Sequence, residues 1–273
     1  MTTCILTPGL SSARSHGEPR AVAVETGAAA LLDAVGSALD AAAAVLVVVP
    51  TWSQAAVRDF RVVAATLSTP RLAAVSLAAP PLALAVLADQ LAWLGAQLSE
   101  PGVVHGCAPA LVRALLGAAW TNDVSKLAEP APRLGQHLRS LLPGAAFLVG
   151  VLPSRLVVVA DEQAAAAAGW DQQVAQVVLS GPDPGRAWLR AQVTEHLRAQ
   201  VVIELPPSAL TQTFYRSDKA CEVAGSIADL RLLAAQAAAA AAPRCAWCGQ
   251  VRVTPACAFC GALAQRDLAV ALG

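Results

Sequence analysis

Charge is scarce in this 273-residue chain. Asp, Glu, Lys and Arg make up 14% of it, against about 25% in ordinary soluble domains. Acidic and basic side chains balance at 19 each, and the only lysines are Lys126 and Lys219. A protein that grips nucleic acid through phosphates needs a surplus of positive charge, so that class of function is not expected. There is no basic run to meet an anionic membrane surface either. Long apolar runs are lacking too: Leu72 to Ala88 is broken by Pro80-Pro81, and Leu141 to Ser154 by Pro143, Gly150 and Pro153, whereas a spanning helix needs about 20 uninterrupted residues. The amino terminus has no basic segment followed by an apolar stretch of the export type. Aromatic residues amount to 4%, and the hydrophobic fraction of 56% owes much to alanine, which buries little area. These absences predict a soluble cytoplasmic protein. The chain also lacks the Gly-x-x-x-x-Gly-Lys-Ser/Thr loop, the Gly-x-Gly-x-x-Gly turn and the Gly-x-Ser-x-Gly elbow, so nucleotide binding and serine-hydrolase chemistry have no support.

Apolar periodicity is what the chain does have. Cys4 to Leu6 reads as a strand ending at Pro8-Gly9, and Ala21 to Ala42 as a helix with apolar residues three and four apart. Val45 to Val49 is a β-branched run of the kind buried in parallel sheets. A helix over 53–67, a strand over 72–77, a helix from Pro80-Pro81 to about Leu98, a short strand at Val103-Val104 and a helix from Pro109 to about Ala119 follow. Alternation of this kind predicts an α/β fold, a mainly parallel sheet with flanking helices over residues 1–122. The polar, proline-bearing stretch 121–133 marks a boundary. Residues 123–215 read as an α+β continuation or a smaller lobe: a short helix over 134–142, a hairpin from Ala146–Leu152 and Leu156–Ala160, a strand over 173–179, a helix over 186–198 and a strand at Val201–Leu205. Residues 216–242, capped by Asp218 and ending in an alanine tract before Pro243, read as a helical spacer. Beyond it lie a small cysteine module over 243–263 and a tail over 264–273.

That module reads Cys245-Ala-Trp-Cys248-Gly249, eight intervening residues, then Cys257-Ala-Phe-Cys260-Gly261. Two such knuckles point four thiolates at one ion, and the glycine after each tolerates the positive φ of the turn. Four sulfurs fill a tetrahedral zinc and leave no position for water, so the expected cofactor is a structural Zn2+. Rubredoxin-like iron uses the same knuckles at wider separation, and a redox dithiol would need one Cys-x-x-Cys beside a βαβ unit; zinc suits the spacing better. Over residues 244–262 the sequence resembles the short zinc-ribbon family appended to many prokaryotic proteins, although Ala246 and Ala258 stand where that family often carries proline. The resemblance implies contact with protein or nucleic acid, or domain stability alone. Trp247, Val251, Val253 and Phe259 are more apolar than so small a core requires, so a protein partner is expected to dock there.

Elsewhere, His105-Gly106-Cys107 falls between a predicted strand and helix, where open α/β sheets hold their ligands, although a turn histidine and a buried cysteine would read the same way. Asp161-Glu162 could serve acid–base work, but neighbouring strand residues face opposite sides, which fits a strand-end cap. Thr7 and Ser11 lie in a hydroxyl-rich loop without the glycines of a phosphate cradle. His16 and His196 have no visible partner set, and His137 reads as part of the solvated face of a short amphipathic helix with Arg133 and Arg139. Two functions are therefore expected: a non-catalytic α/β binding or adaptor protein whose ribbon contacts a protein partner, or a small-molecule enzyme using some of Thr7, Ser11, His105, Cys107 and Asp161, with the zinc purely structural. In the second case His105 and Cys107 should line a pocket.

Overall fold

The computed structural model describes residues 2–12, 19–240 and 242–263; His16 and the tail 264–273 lie outside them. The chain folds around two sheets with one helix between them. In the first sheet, β1 (Thr3–Pro8), β2 (Val22–Val24), β3 (Ala44–Pro50) and β4 (Leu72–Leu77) lie in the order β2-β1-β3-β4, all parallel. Every residue of β3 is buried, as a β-branched run covered on both faces should be. Alternate side chains serve alternate layers. Val45, Val47 and Val49 pack with Leu31, Val35 and Val63 of α1 (Ala28–Ala41) and α2 (Gln54–Leu67), while Leu46 and Val48 face α3 (Pro81–Gln97). The helix expected from Ala21 therefore starts later, because Val22–Val24 extend the sheet beside β1.

Helix α3 is apolar on nearly every side and buried on nearly every side, as befits a helix held between two layers. Its other side meets the second sheet, in the order β7-β6-β5-β10-β8-β9. These strands are β5 (Leu115–Thr121), β6 (Phe147–Leu152), β7 (Leu156–Val159), β8 (Gln176–Ser180), β9 (Val201–Leu205) and β10 (Cys221–Ser226). All neighbours in it are antiparallel except β8 and β9. The expected α/β class, with its mainly parallel sheet and α+β second part, is thus present, as are the hairpin of β6 and β7 and the strand over 201–205.

Several local expectations fail. Val103-Val104 is no strand: Pro101 opens α4 (Pro101–Arg113), whose buried Val104, Cys107, Ala108 and Leu111 follow helical spacing. Strand β5 then lies ahead of the stretch 121–133, so the change of sheet comes near 114. Residues 221–226, expected in the helical spacer, form β10 between β5 and β8, where Glu222, Ala224 and Ser226 face α3. The remaining helices are α5 (Leu134–Ser140), α6 (Ala164–Ala167), α7 (Gly185–Gln192, continuing as a π-turn to Leu197), α8 (Ala209–Tyr215) and α9 (Leu230–Ala239). Asp229, not Asp218, caps α9, its Oδ1 accepting from the backbone N–H groups of Arg231 and Leu232 at 3.0 Å each. Leu230, Leu233, Ala234 and Ala237 pack against the central core, so this helix is a layer of the body and no free arm. No helix among the described residues is long and apolar enough to cross a membrane.

Candidate ligand-binding site

The seam between α3 and the second sheet carries two cavities. One, of about 230 Å³, lies at the amino end of α3, among Leu82, Ala85, Ser11, Ser180, Ser208 and Glu222. The other, of about 210 Å³, lies further along the helix, among Val86, Gln90, Gln176, Val178 and Ser226. Leu82, Ala85, Val86, Asp89 and Gln90 are spaced along one helical face. Across from them the register pairs Glu222 with Ser180 and Ala224 with Val178, and alternation puts Glu222, Ala224 and Ser226 on the same side of β10. The sheet therefore offers a stripe that is polar at Ser180 and Glu222, apolar at Val178 and Ala224, and polar again at Gln176 and Ser226.

Glu222 is 1% exposed. Helix α3 begins after Pro80, which has no side chain able to cap it, so the orphan N–H of Leu82 donates to Glu222 Oε1 at 3.4 Å. Thr211 Oγ1 donates to Glu222 Oε2. Burial outweighs these two bonds and pushes the carboxyl up to about 7. The buried phenol of Tyr215 nearby is raised well above its usual value by desolvation and by the charge of Glu222. Ser180 Oγ donates to the carbonyl of Pro206 at 2.8 Å, and Ser208 Oγ accepts from Leu210 N at 3.2 Å, which leaves the Ser208 hydroxyl proton available to a ligand. In the second cavity, Gln90 is 7% exposed and its Oε1 has no hydrogen-bond partner. Asp89 beside it accepts from Ser12 Oγ and from Ala21 N.

The second candidate site is the cysteine module. The sulfurs of Cys245, Cys248, Cys257 and Cys260 lie within 4.8 Å of one another, with Cys245 to Cys260 and Cys248 to Cys257 at 3.6 Å. A tetrahedron with metal–sulfur bonds of about 2.3 Å has edges of about 3.8 Å, so the set can hold one metal ion. Both knuckles close alike: Gly249 N donates to Cys245 O and Gly261 N to Cys257 O at 2.9 Å, and the two glycines sit at φ 74° and 73°. Backbone N–H groups of Cys248 and Trp247 lower the Cys245 thiol to about 6. The module is seated on α4 by Val251, 8% exposed, by Val253 over Gly106 and by the Arg244–Glu100 ion pair at 2.6 Å. Phe259 is buried as well, while Trp247 remains 84% exposed.

The residues singled out as an enzyme's machinery are not brought together. His105 lies inside α4, its Nε2 3.1 Å from Ala74 O, and burial lowers its pKa. Cys107, two residues on, is buried with a raised thiol pKa. Neither lines a cavity described above. Asp161 Oδ1 accepts from Gln163 N at 3.0 Å in the turn after β7, a cap on the strand end. Thr7 Oγ1 donates within its own loop, to Leu10 O at 3.2 Å. Of that set only Ser11 reaches the seam. Sequence reasoning missed Glu222, Ser180, Ser208 and Gln90. Asp89-Gln90, a polar pair inside the mostly apolar α3, carried the available signal.

No protein-family model matches the chain, and no curated protein sequence does. Solved structures do match. The Streptococcus pneumoniae fatty acid kinase (Fak) B3 protein, loaded with linoleic acid, aligns with TM-score 0.59 at 13% identity over 84% of this chain and 100% of its own. A DegV family protein from Eubacterium eligens, loaded with heptadecanoic acid, gives 0.61 at 9% identity over 82% and 99%. A fatty-acid-binding DegV family protein from Thermus thermophilus gives 0.61 at 14% identity over 83% and 100%. The fold is of the DegV type. This overturns the expectation of a non-catalytic protein adaptor, since the three structures just named hold fatty acids or are described as binding them, and two of the side chains of the cysteine module expected to greet a partner, Val251 and Phe259, are buried.

Proposed function

We propose that this protein binds a fatty acid or a similar long-chain lipid in the seam between α3 and the second sheet. The observation that carries the reading is the polar–apolar–polar stripe facing α3, with Ser180 and Glu222 at one end and Val178 and Ala224 in the middle. The fatty acids held by DegV-type proteins of the same fold support it. The acyl chain would lie along Leu82, Ala85 and Val86, burying apolar surface at roughly 25 cal/mol per Å². The head would sit at the amino end of α3. There a protonated Glu222 and the Ser208 hydroxyl donate hydrogen bonds, and the helix end favours negative charge. The four cysteines would hold a structural zinc that fastens the ribbon. Four cysteines at ligand spacing and three scattered ones, none in a disulfide, fit a reducing, cytoplasmic setting.

Extraction of the purified protein with organic solvent, followed by chromatography and mass spectrometry, tests this. About one acyl chain per protein is expected, and the stripped protein should take up a fluorescent fatty acid that unlabelled fatty acid displaces. A protein that carries no lipid and takes up none would overturn it.

A further inference from the structure

Helix α5 is amphipathic in reverse. Its polar Gln136 faces the body: Nε2 donates to Val157 O of β7, and Oε1 accepts from Arg133 N at 2.7 Å. Leu134, Leu138 and Leu141, three or four residues apart, share the opposite face. There they are 76%, 60% and 75% exposed, and Leu142 beside them is 62% exposed. A surface helix ordinarily turns its apolar stripe to the core and its polar side to water. Four leucines standing together in solvent form an apolar patch of the kind that marks a contact site. Contact sites for proteins favour aromatic anchors, whereas residues 130–146 carry no Phe, Trp or Tyr.

We propose that α5 docks the protein on an anionic membrane surface, its leucines entering the acyl boundary and its arginines meeting the lipid phosphates. This goes beyond the acyl-binding reading of the seam and does not depend on it. Charge selects the partner. The sequence has no basic run, yet between Glu129 and Asp161 it has no carboxylate, and Arg133, His137 and Arg139 flank the leucine face. Arg133 and Arg139 are exposed. Asp123, within electrostatic reach of His137, is offset by Lys126, and Arg155 is paired with Glu129 at 3.1 Å. A second copy of the chain would set the like charges of α5 against each other, whereas an anionic lipid surface neutralises them. A helix of seven residues is too short to span a bilayer. It lies in the plane of the interface, apolar side down and cations at the headgroups.

The test is flotation of the full-length protein with vesicles of phosphatidylcholine alone and of equal parts phosphatidylcholine and phosphatidylglycerol. The protein should float with the anionic vesicles, bind the neutral ones at least about 10-fold more weakly, and bind less as salt is raised. Leu138→Gln/Leu141→Gln should weaken binding to the anionic vesicles at least about 10-fold, and Arg139→Gln about 5-fold. Both variants should keep the melting temperature and the fatty-acid uptake of the parent, since the altered side chains are exposed and lie outside the seam. Uptake thus reports the seam and flotation reports α5, so either reading can fail alone. No flotation of the parent with anionic vesicles, or equal flotation of the parent and the leucine variant, would overturn the proposal. So would a parent dimer in analytical ultracentrifugation that the leucine variant abolishes, because a second copy would then cover the face.

Discussion

The backbone carbonyl of Val251 occupies the place that a side chain on Gly102 would take: a Cβ added there would lie 1.8 Å from that oxygen. One turn along α4, a Cβ on Gly106 would lie 2.0 Å from Val253 Cγ2. The two glycines, four residues apart, leave a bare strip of helix backbone on which the ribbon's hairpin rests. Neither the cysteine module nor the helix needs them for its own geometry; the seat does.

Gly102→Ala should therefore unseat the cysteine module. The obstacle is backbone, which cannot swing aside as a side chain would, so the cost is expected at about 1–3 kcal/mol. A lower melting temperature and faster proteolysis within residues 243–263 are expected, with the metal content unchanged because the four sulfurs are untouched. Unaltered protease resistance would count against the seat.

Metal removal should act on the same region by another route. Cys257→Ser leaves three thiolates, and the zinc proposed for the site should be lost, with the ribbon unfolding and the body staying folded. Elemental analysis of the parent protein, purified without metal supplementation, should give about one zinc per chain. The solution should be colourless, unlike one of an iron-bound ribbon.

Glu222 predicts a pH dependence. Its carboxyl stands near 7 in the folded protein, against about 4.3 in an unfolded chain. The folded state thus binds more protons than the unfolded one between these values, and stability falls as pH rises through that window. The contribution of this residue is fully present below about pH 4.3 and is lost above about 7, on the order of 4 kcal/mol in all. Subtracting the urea-unfolding profile of Glu222→Gln from that of the parent should isolate it. A flat difference would contradict the assignment. Fatty-acid affinity should weaken across the same upper edge, since an ionised Glu222 repels a carboxylate head.

Ala85→Phe should block the seam. Ala85 is buried and lines the cavity of about 230 Å³, so a ring has space to occupy without displacing backbone. Fatty-acid uptake should fall at least about 10-fold, which is 1.4 kcal/mol, with the melting temperature of the lipid-free protein little changed. Uptake equal to that of the parent would place the ligand elsewhere.

Legibility in the sequence followed the locality of the physics. The β3 run Val45–Val49, the strand Val201–Leu205 and the two Cys-x-x-Cys-Gly knuckles were readable because neighbouring residues alone specify them: β-branched crowding in the strands, tight turns in the knuckles. Strand β10 was misread because Cys-Glu-Val-Ala-Gly-Ser carries no strand propensity of its own. It is a strand because β5 and β8 lie on either side of it. His105 and Cys107 read as following a strand because Val103-Val104 is β-branched, yet the buried spacing of Val104, Cys107, Ala108 and Leu111 outweighs that preference.

By itself the sequence determined an α/β class with a mainly parallel sheet and four cysteines at the spacing of metal ligands, since apolar periodicity and cysteine spacing are properties of the linear chain. Only the tertiary structure decided that the cysteine module is seated on Gly102 and Gly106, and that Glu222, Ser180 and Gln90 share one seam. Those residues stand far apart in the chain, and what joins them is the burial of α3 between two sheets. A buried helix presents all its faces to protein, so its few polar residues mark where the packing opens.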